Sequence, residues 1–160
     1  MKRLAVCILC LGIFLVSCAQ KPDVKINTSL LNLKATVEYG EMVYNGIFTT
    51  DQNGNCEFLI LAPEHLKNFS VSANSDGLLL KYKGFTQKIP ASDITEGAFI
   101  YEIFECLKSI PTDPSVKITP NGAVYEGECN GRAFTFEFNA DGSPKVLAVR
   151  SMNLTVKFNK

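Results

Sequence analysis

The chain has 160 residues, enough for one domain that takes about two thirds of its unfolded surface out of water. A hydrophobic content of 46% excludes disorder, and sixteen basic against sixteen acidic side chains leave no basic excess with which to grip nucleic acid. One histidine and no tryptophan make a His-based catalytic or metal centre hard to assemble.

Met1-Lys2-Arg3 is a short positive segment, and Leu4 to Val16 is an apolar run of thirteen residues. A membrane span needs about twenty, so the run reads as the core of a secretory signal. It ends in Leu15-Val16-Ser17-Cys18, which resembles the lipobox of bacterial lipoproteins. The resemblance implies cleavage before Cys18 and a diacylglyceryl group on its thiol. The expected organisation is a signal peptide at 1–17, a lipidated Cys18 with a tether over 18–29, and a folded domain over 30–160. Loss of seventeen residues leaves 143, with 14 basic and 16 acidic side chains. Acyl chains rather than a polybasic patch then hold the protein at the extracytoplasmic face of the cell membrane. Gln20 to Thr28 is polar, contains Pro22 and lacks periodicity, as a tether should.

From Leu31 the hydrophobic period is two. Leu31, Leu33, Ala35, Val37 and Tyr39 alternate with polar residues and predict a half-buried strand. Gly40-Glu41 turns the chain into a second strand over Met42 to Thr50. Asp51-Gln52-Asn53-Gly54 is a hairpin turn before a third strand, Asn55 to Ala62, with Cys56, Phe58 and Ile60 on one face. Pro63 to Leu66 breaks it. Strands are predicted over Phe69 to Ala73, Leu78 to Tyr82 and Phe85 to Ile89, with Gly84 at a bend.

The period then becomes helical. Ser92 or Asp93 is a possible cap, with Glu96 placed for a capping box, and Phe99, Ile103, Cys106, Leu107 and Ile110 form a stripe that Ile100 and Phe104 widen. Pro111 ends it, and a face so broad must lie on a sheet. Pro111 to Pro120 is a loop with room for a short strand at Val116 to Thr119. Four more strands follow, near Ala123 to Cys129, Arg132 to Asn139, Lys145 to Arg150 and Leu154 to Phe158. Phe134, Phe136 and Phe138 share one face. The fold class expected is α+β and mostly β: about ten antiparallel strands with one principal helix.

Catalytic chemistry finds little support. His65 and Glu64 are adjacent in a turn and point apart, so they form no dyad without a third group. Cys106 as a nucleophile would need a histidine and a lowered pKa, whereas an apolar helix face raises it. Asp51, Asn53 and Asn55 lack the later Glu of a calcium loop, and Glu126 and Glu128 alternate on a face expected to be solvated. No glycine-rich phosphate loop is present. No catalytic residue, metal or cofactor is expected. Cys56, Cys106 and Cys129 read either as small buried hydrophobes or, for Cys56 and Cys129, as a bridge between strands.

The order of the parts resembles the LolA-type lipoprotein-carrier superfamily, particularly its small lipid-anchored members. The resemblance rests on Tyr44-Asn45-Gly46, Pro63 to Leu66, the Asp76-Gly77 hairpin, Tyr82 to Phe85, Ile89-Pro90 ahead of the helix, Asp141 to Pro144, and the closing strand Leu154 to Phe158. It implies a half-open, strongly curved antiparallel barrel whose apolar concave face is covered by helix. The family's carriers have a longer N-terminal helix and no lipid, whereas Lys25 to Leu33 leaves little room for one, so shuttling between membranes is not expected here.

Eleven Phe and five Tyr are more than one helix covers easily. Either they fill the core themselves, or an apolar cavity remains between sheet and helix. The candidate lining is Phe58, Ile60, Phe99, Ile103, Leu107, Phe134, Phe136 and Phe138. The function expected is a non-enzymatic, membrane-anchored lipoprotein that holds a lipid or acyl chain in that cavity. The alternative is an envelope sensor or scaffold that works through protein contacts, in the manner of RseB-type domains.

Overall fold

Strict alternation of apolar and polar residues is the driving feature of the domain, because each strand then has one face that must leave water. The computed structural model describes residues 26, 32–51, 53–95, 98–111 and 114–159. The signal peptide, Cys18, the tether apart from Ile26, and Glu96 lie outside the described residues.

The strands are β1 (Asn32–Tyr39), β2 (Met42–Thr50), β3 (Cys56–Ala62), β4 (Ser70–Asn74), β5 (Gly77–Tyr82), β6 (Phe85–Pro90), β7 (Lys117–Thr119), β8 (Gly122–Cys129), β9 (Arg132–Asn139), β10 (Pro144–Val149) and β11 (Leu154–Asn159). They form one antiparallel sheet in the order β6-β5-β4-β3-β2-β1-β11-β10-β9-β8-β7. The sheet is curved and does not close. Two meanders therefore meet along a central seam, where Val37 of β1 stands opposite Val156 of β11 and Ala35 opposite Phe158. Tight connections follow the turn chemistry. Asn130 and Gly131 both have positive φ, 51° and 71°, as a two-residue hairpin of β8 and β9 requires.

The eleventh strand is β7, the short segment before Pro120, which pairs with the start of β8.

Helix α1 (Phe99–Lys108) belongs to the connection between β6 and β7, which are opposite edges of the sheet. The chain must cross the whole sheet at this point. α1 packs against β3 and β4 on one side and β8 on the other. β4 and β8 are seven steps apart in the sheet, roughly 34 Å if it were flat. A helix of ten residues is only about 15 Å long. Both strands reach the same helix because the sheet curls around it.

All inward-facing positions join one core. Val37, Phe48, Phe58, Ile103, Phe136, Leu147, Val149 and Val156 are fully buried. The predicted face assignment holds along the strands: Phe134, Phe136 and Phe138 point inward, while Glu126 and Glu128 are exposed.

The helix differs from expectation at its start. Residues Ala91–Asp93 form a separate 3-10 turn, and α1 begins only at Phe99, with Ala98 as an N-cap that makes no side-chain bond. The buried side of α1 is Ile100, Ile103, Phe104 and Cys106, and it includes Glu102. Phe99 and Leu107 are half-buried, and Ile110 falls beyond the last helical turn.

Candidate functional site

The eight residues expected to line a cavity fall into two groups. Phe58, Ile60, Ile103, Phe134, Phe136 and Phe138 all lie in the buried core, whereas Phe99 and Leu107 are at the rim of the helix. The rings meet one another closely. Phe136 and Phe138 have centroids 4.4 Å apart, Phe136 and Phe158 5.9 Å, Phe48 and Phe158 5.7 Å, and Phe48 and Phe58 6.5 Å. A void large enough for water would leave accessible surface on the side chains around it. Phe58, Ile103 and Phe136 have none. The space between them is taken up by the side chains themselves.

Clefts formed by described residues lie elsewhere. One, of about 720 Å³, lies on the outer side at the β8–β9 turn, between Glu126, Glu128, Ala133 and Thr135 on one side and Ala148 of β10 with Arg150 and Ser151 just after it on the other. Of the eight expected residues it takes only Phe134. Another lies at the Asn139–Asp141 turn beside Phe158.

Apolar surface is exposed on the outer face of β2 and β3. Val43 is 52% and Leu61 40% exposed, with Met42 beside Val43. Leu61 occupies the irregularity in the β2–β3 register, where Asn45 pairs with Ala62 and Gly46 already pairs with Ile60. The extra residue bends β3 and pushes Leu61 outward. Ile47 and Leu59 face each other on the same side and are half-buried. Val43, Ile47, Leu59 and Leu61 thus share the outer face, where exposed Asn45 stands between Val43 and Ile47.

A third feature was not visible from the strand pattern. On the inner face Glu102, Cys106 and Cys129 bring their ligating atoms within 4.8 Å of one another, and all three residues are buried. Glu102 and Cys106 are four residues apart and share a helix face. Cys129 is the last residue of β8, opposite Arg132 on β9. Arg132 Nη1 stands 3.5 Å from Glu102 Oε2, while Glu102 Oε1 is buried with no hydrogen-bond partner among the described residues. Burial pushes the Cys106 thiol far up, with Cys129 and Glu102 adding to it, and burial followed by Glu102 raises Cys129.

Cys56, Cys106 and Cys129 are free, so the bridge weighed between Cys56 and Cys129 does not form. Cys56 is buried beneath the β2–β3 turn, and burial, reinforced by Asp51, pushes its thiol up to about 12. Asp51 does the work of a turn. Its Oδ1 accepts hydrogen bonds from the backbone N–H groups of Asn53 and Asn55 at 2.8 and 2.9 Å, and Oδ2 accepts one from Asn55 Nδ2 at 2.7 Å. The bond from the Asn55 side chain is the main reason its carboxyl is held below the usual range. His65 is exposed in the 3-10 turn after β3, where its carbonyl accepts the Tyr82 hydroxyl at 2.9 Å. Glu64 beside it pairs with Lys67. Among the described residues no helix is long and apolar enough to cross a membrane.

No protein family and no curated protein matches the chain. Among solved structures, one similar chain comes from the complex of the CwlD amidase of Clostridioides difficile with the GerS lipoprotein. It is 19% identical, with a TM-score of 0.47, and the match covers 100% of this chain and 94% of that one. Another is a LolA superfamily protein from Nitrosomonas europaea, 11% identical, with a TM-score of 0.37 over 84% of this chain and 70% of that one. The second carries the superfamily name that the order of motifs in this sequence resembles.

Proposed function

We propose that this chain is a non-enzymatic lipoprotein, anchored through Cys18 at the extracytoplasmic face of the cell membrane, and that it acts by binding a protein on the outer side of its sheet. The observation that carries this reading is the contrast between the two faces. The inner face is packed to zero exposure at Phe58, Ile103 and Phe136, while the outer face leaves Val43 and Leu61 in water. Apolar side chains gathered on a solvated face are a feature of contact surfaces. The test is site-specific photo-crosslinking of the full chain in its own envelope. Probes at positions 43 and 61 should yield one common protein adduct, absent from a probe at position 86 on β6. Leu61→Glu should abolish the adduct at 43 while leaving the melting temperature unchanged. Adducts to lipid alone, or none, would contradict the reading.

An acyl-chain ligand is a second reading, favoured by one feature. Phe99 stacks on Tyr44 at 5.3 Å and leans on Tyr39 at 5.5 Å, so half-buried aromatic rings gather where the helix begins. A greasy chain entering there would have to lift α1 from the sheet. That motion distinguishes it from the first reading, which leaves the interior closed.

A further inference from the structure

We infer that Glu102, Cys106 and Cys129 form a binding site for a thiophilic divalent cation of the zinc type, which staples α1 to the β8–β9 hairpin. The geometry is close to what such an ion needs. Tetrahedral zinc, with bonds of about 2.0 Å to oxygen and 2.3 Å to sulfur, sets its ligand atoms roughly 3.4–3.8 Å apart. The three atoms here already lie within 4.8 Å of one another, on two elements, α1 inside the β6–β7 crossover and β8 beyond it. Glu102 supplies the independent sign. Its side chain is 8% exposed, and its Oε1 is buried without a hydrogen-bond partner among the described residues. A buried carboxylate oxygen is costly to leave unmatched, and a cation would match it.

Charge and chemistry agree with the assignment. Binding displaces the protons of the two thiols to water. The resulting two thiolates and a carboxylate around a divalent ion carry one net negative charge, which the Arg132 guanidinium at 3.5 Å from Glu102 Oε2 offsets. Sulfur ligands select zinc-type ions over magnesium or calcium, which take oxygen. Three protein ligands leave the fourth position to water or to a ligand from outside. Cys129 adjoins the Asn130-Gly131 turn at the surface, which gives the ion a way in. Binding would add a bonded tie between the helix and this hairpin beyond the Arg132–Glu102 pair and side-chain packing, so its free energy would add directly to the stability of the curled sheet.

Cobalt reports such a site by its colour. The full chain, purified in detergent with a phosphine reductant and stripped of metal, should develop thiolate-to-cobalt absorption in the near ultraviolet that saturates at one ion per chain and is bleached by zinc. Cys106→Ser and Cys129→Ser should each lose that absorption, and Cys56→Ser, which alters the third buried thiol, should keep it. Glu102→Gln should keep the absorption but weaken binding about tenfold or more, at least the loss seen when a ligand's supporting partner is removed. Because a serine variant can lose its fold, the melting temperature of the unaltered chain gives a second measure, and it should rise when zinc is added. No thiolate-to-cobalt absorption in the reduced chain would overturn the site. So would absorption that depends on Cys56, or a Cys106–Cys129 disulfide in protein isolated from membranes without reductant.

Discussion

Gly46 shows how little room the interior leaves. A β-carbon there would lie inside van der Waals contact of the Leu59 carbonyl oxygen and 2.8 Å from the Phe58 ring. Gly46→Ala should therefore destabilise by about 1–3 kcal/mol through overpacking, read as a lower urea midpoint. The opposite error is as costly: Phe136→Ala removes a ring that touches both Phe138 and Phe158, and should lose about 3–5 kcal/mol in the same measurement. Cys56 links burial to pH. Its folded thiol holds its proton up to about 12, while the unfolded thiol loses it near the ordinary value of 9.0. The unfolded state thus binds fewer protons between those values, so this contribution is complete below pH 9 and fades as pH rises toward 12. Cys56→Ala should flatten the alkaline fall of the urea midpoint relative to the unaltered chain.

At the scale of elements, the seam between β1 and β11 is the part farthest from any edge. Its amides should exchange slowest with deuterium, at rates set by global unfolding. β6 should exchange fastest among the long strands, since it is an edge strand that is exposed on both faces over Phe85–Lys88. Slow exchange in β6 and fast exchange at Val37 and Val156 would contradict the assigned order. The strands were legible in the sequence because a period of two needs only local composition, and Asn130-Gly131 fixes a register that Phe134, Phe136 and Phe138 then share. The helix start was not legible. Ser92 and Asp93 are good caps in isolation, but they belong to a 3-10 turn, and α1 begins only after Ala98. The Glu102–Cys106 spacing was a readable signal of a shared face. Cys129 joins it only through folding, from across the sheet, so no local pattern could pair them.

For the whole molecule, the distribution of apolar side chains decides between binding inside and binding outside. The surplus of Phe and Tyr, countable from the sequence, did not reveal whether a curled sheet would be filled or hollow, because that depends on how tightly β4 and β8 close on α1. Ring distances of 4.4 to 6.5 Å across Phe48, Phe58, Phe136, Phe138 and Phe158 put those side chains in mutual contact. On the outer face of β2 and β3, the exposed Val43 and Leu61, with Met42 beside Val43, are the apolar side chains to which the proposed partner contact is assigned. Native mass spectrometry of the full chain, released from membranes of its own cell, tests this most directly. The packed interior predicts the mass of the acylated polypeptide with no additional lipid bound. Retention of one further lipid per chain, lost when α1 is uncoupled from the sheet by Ile103→Asp, would show that the interior opens to a guest and that the outer face is not where binding occurs.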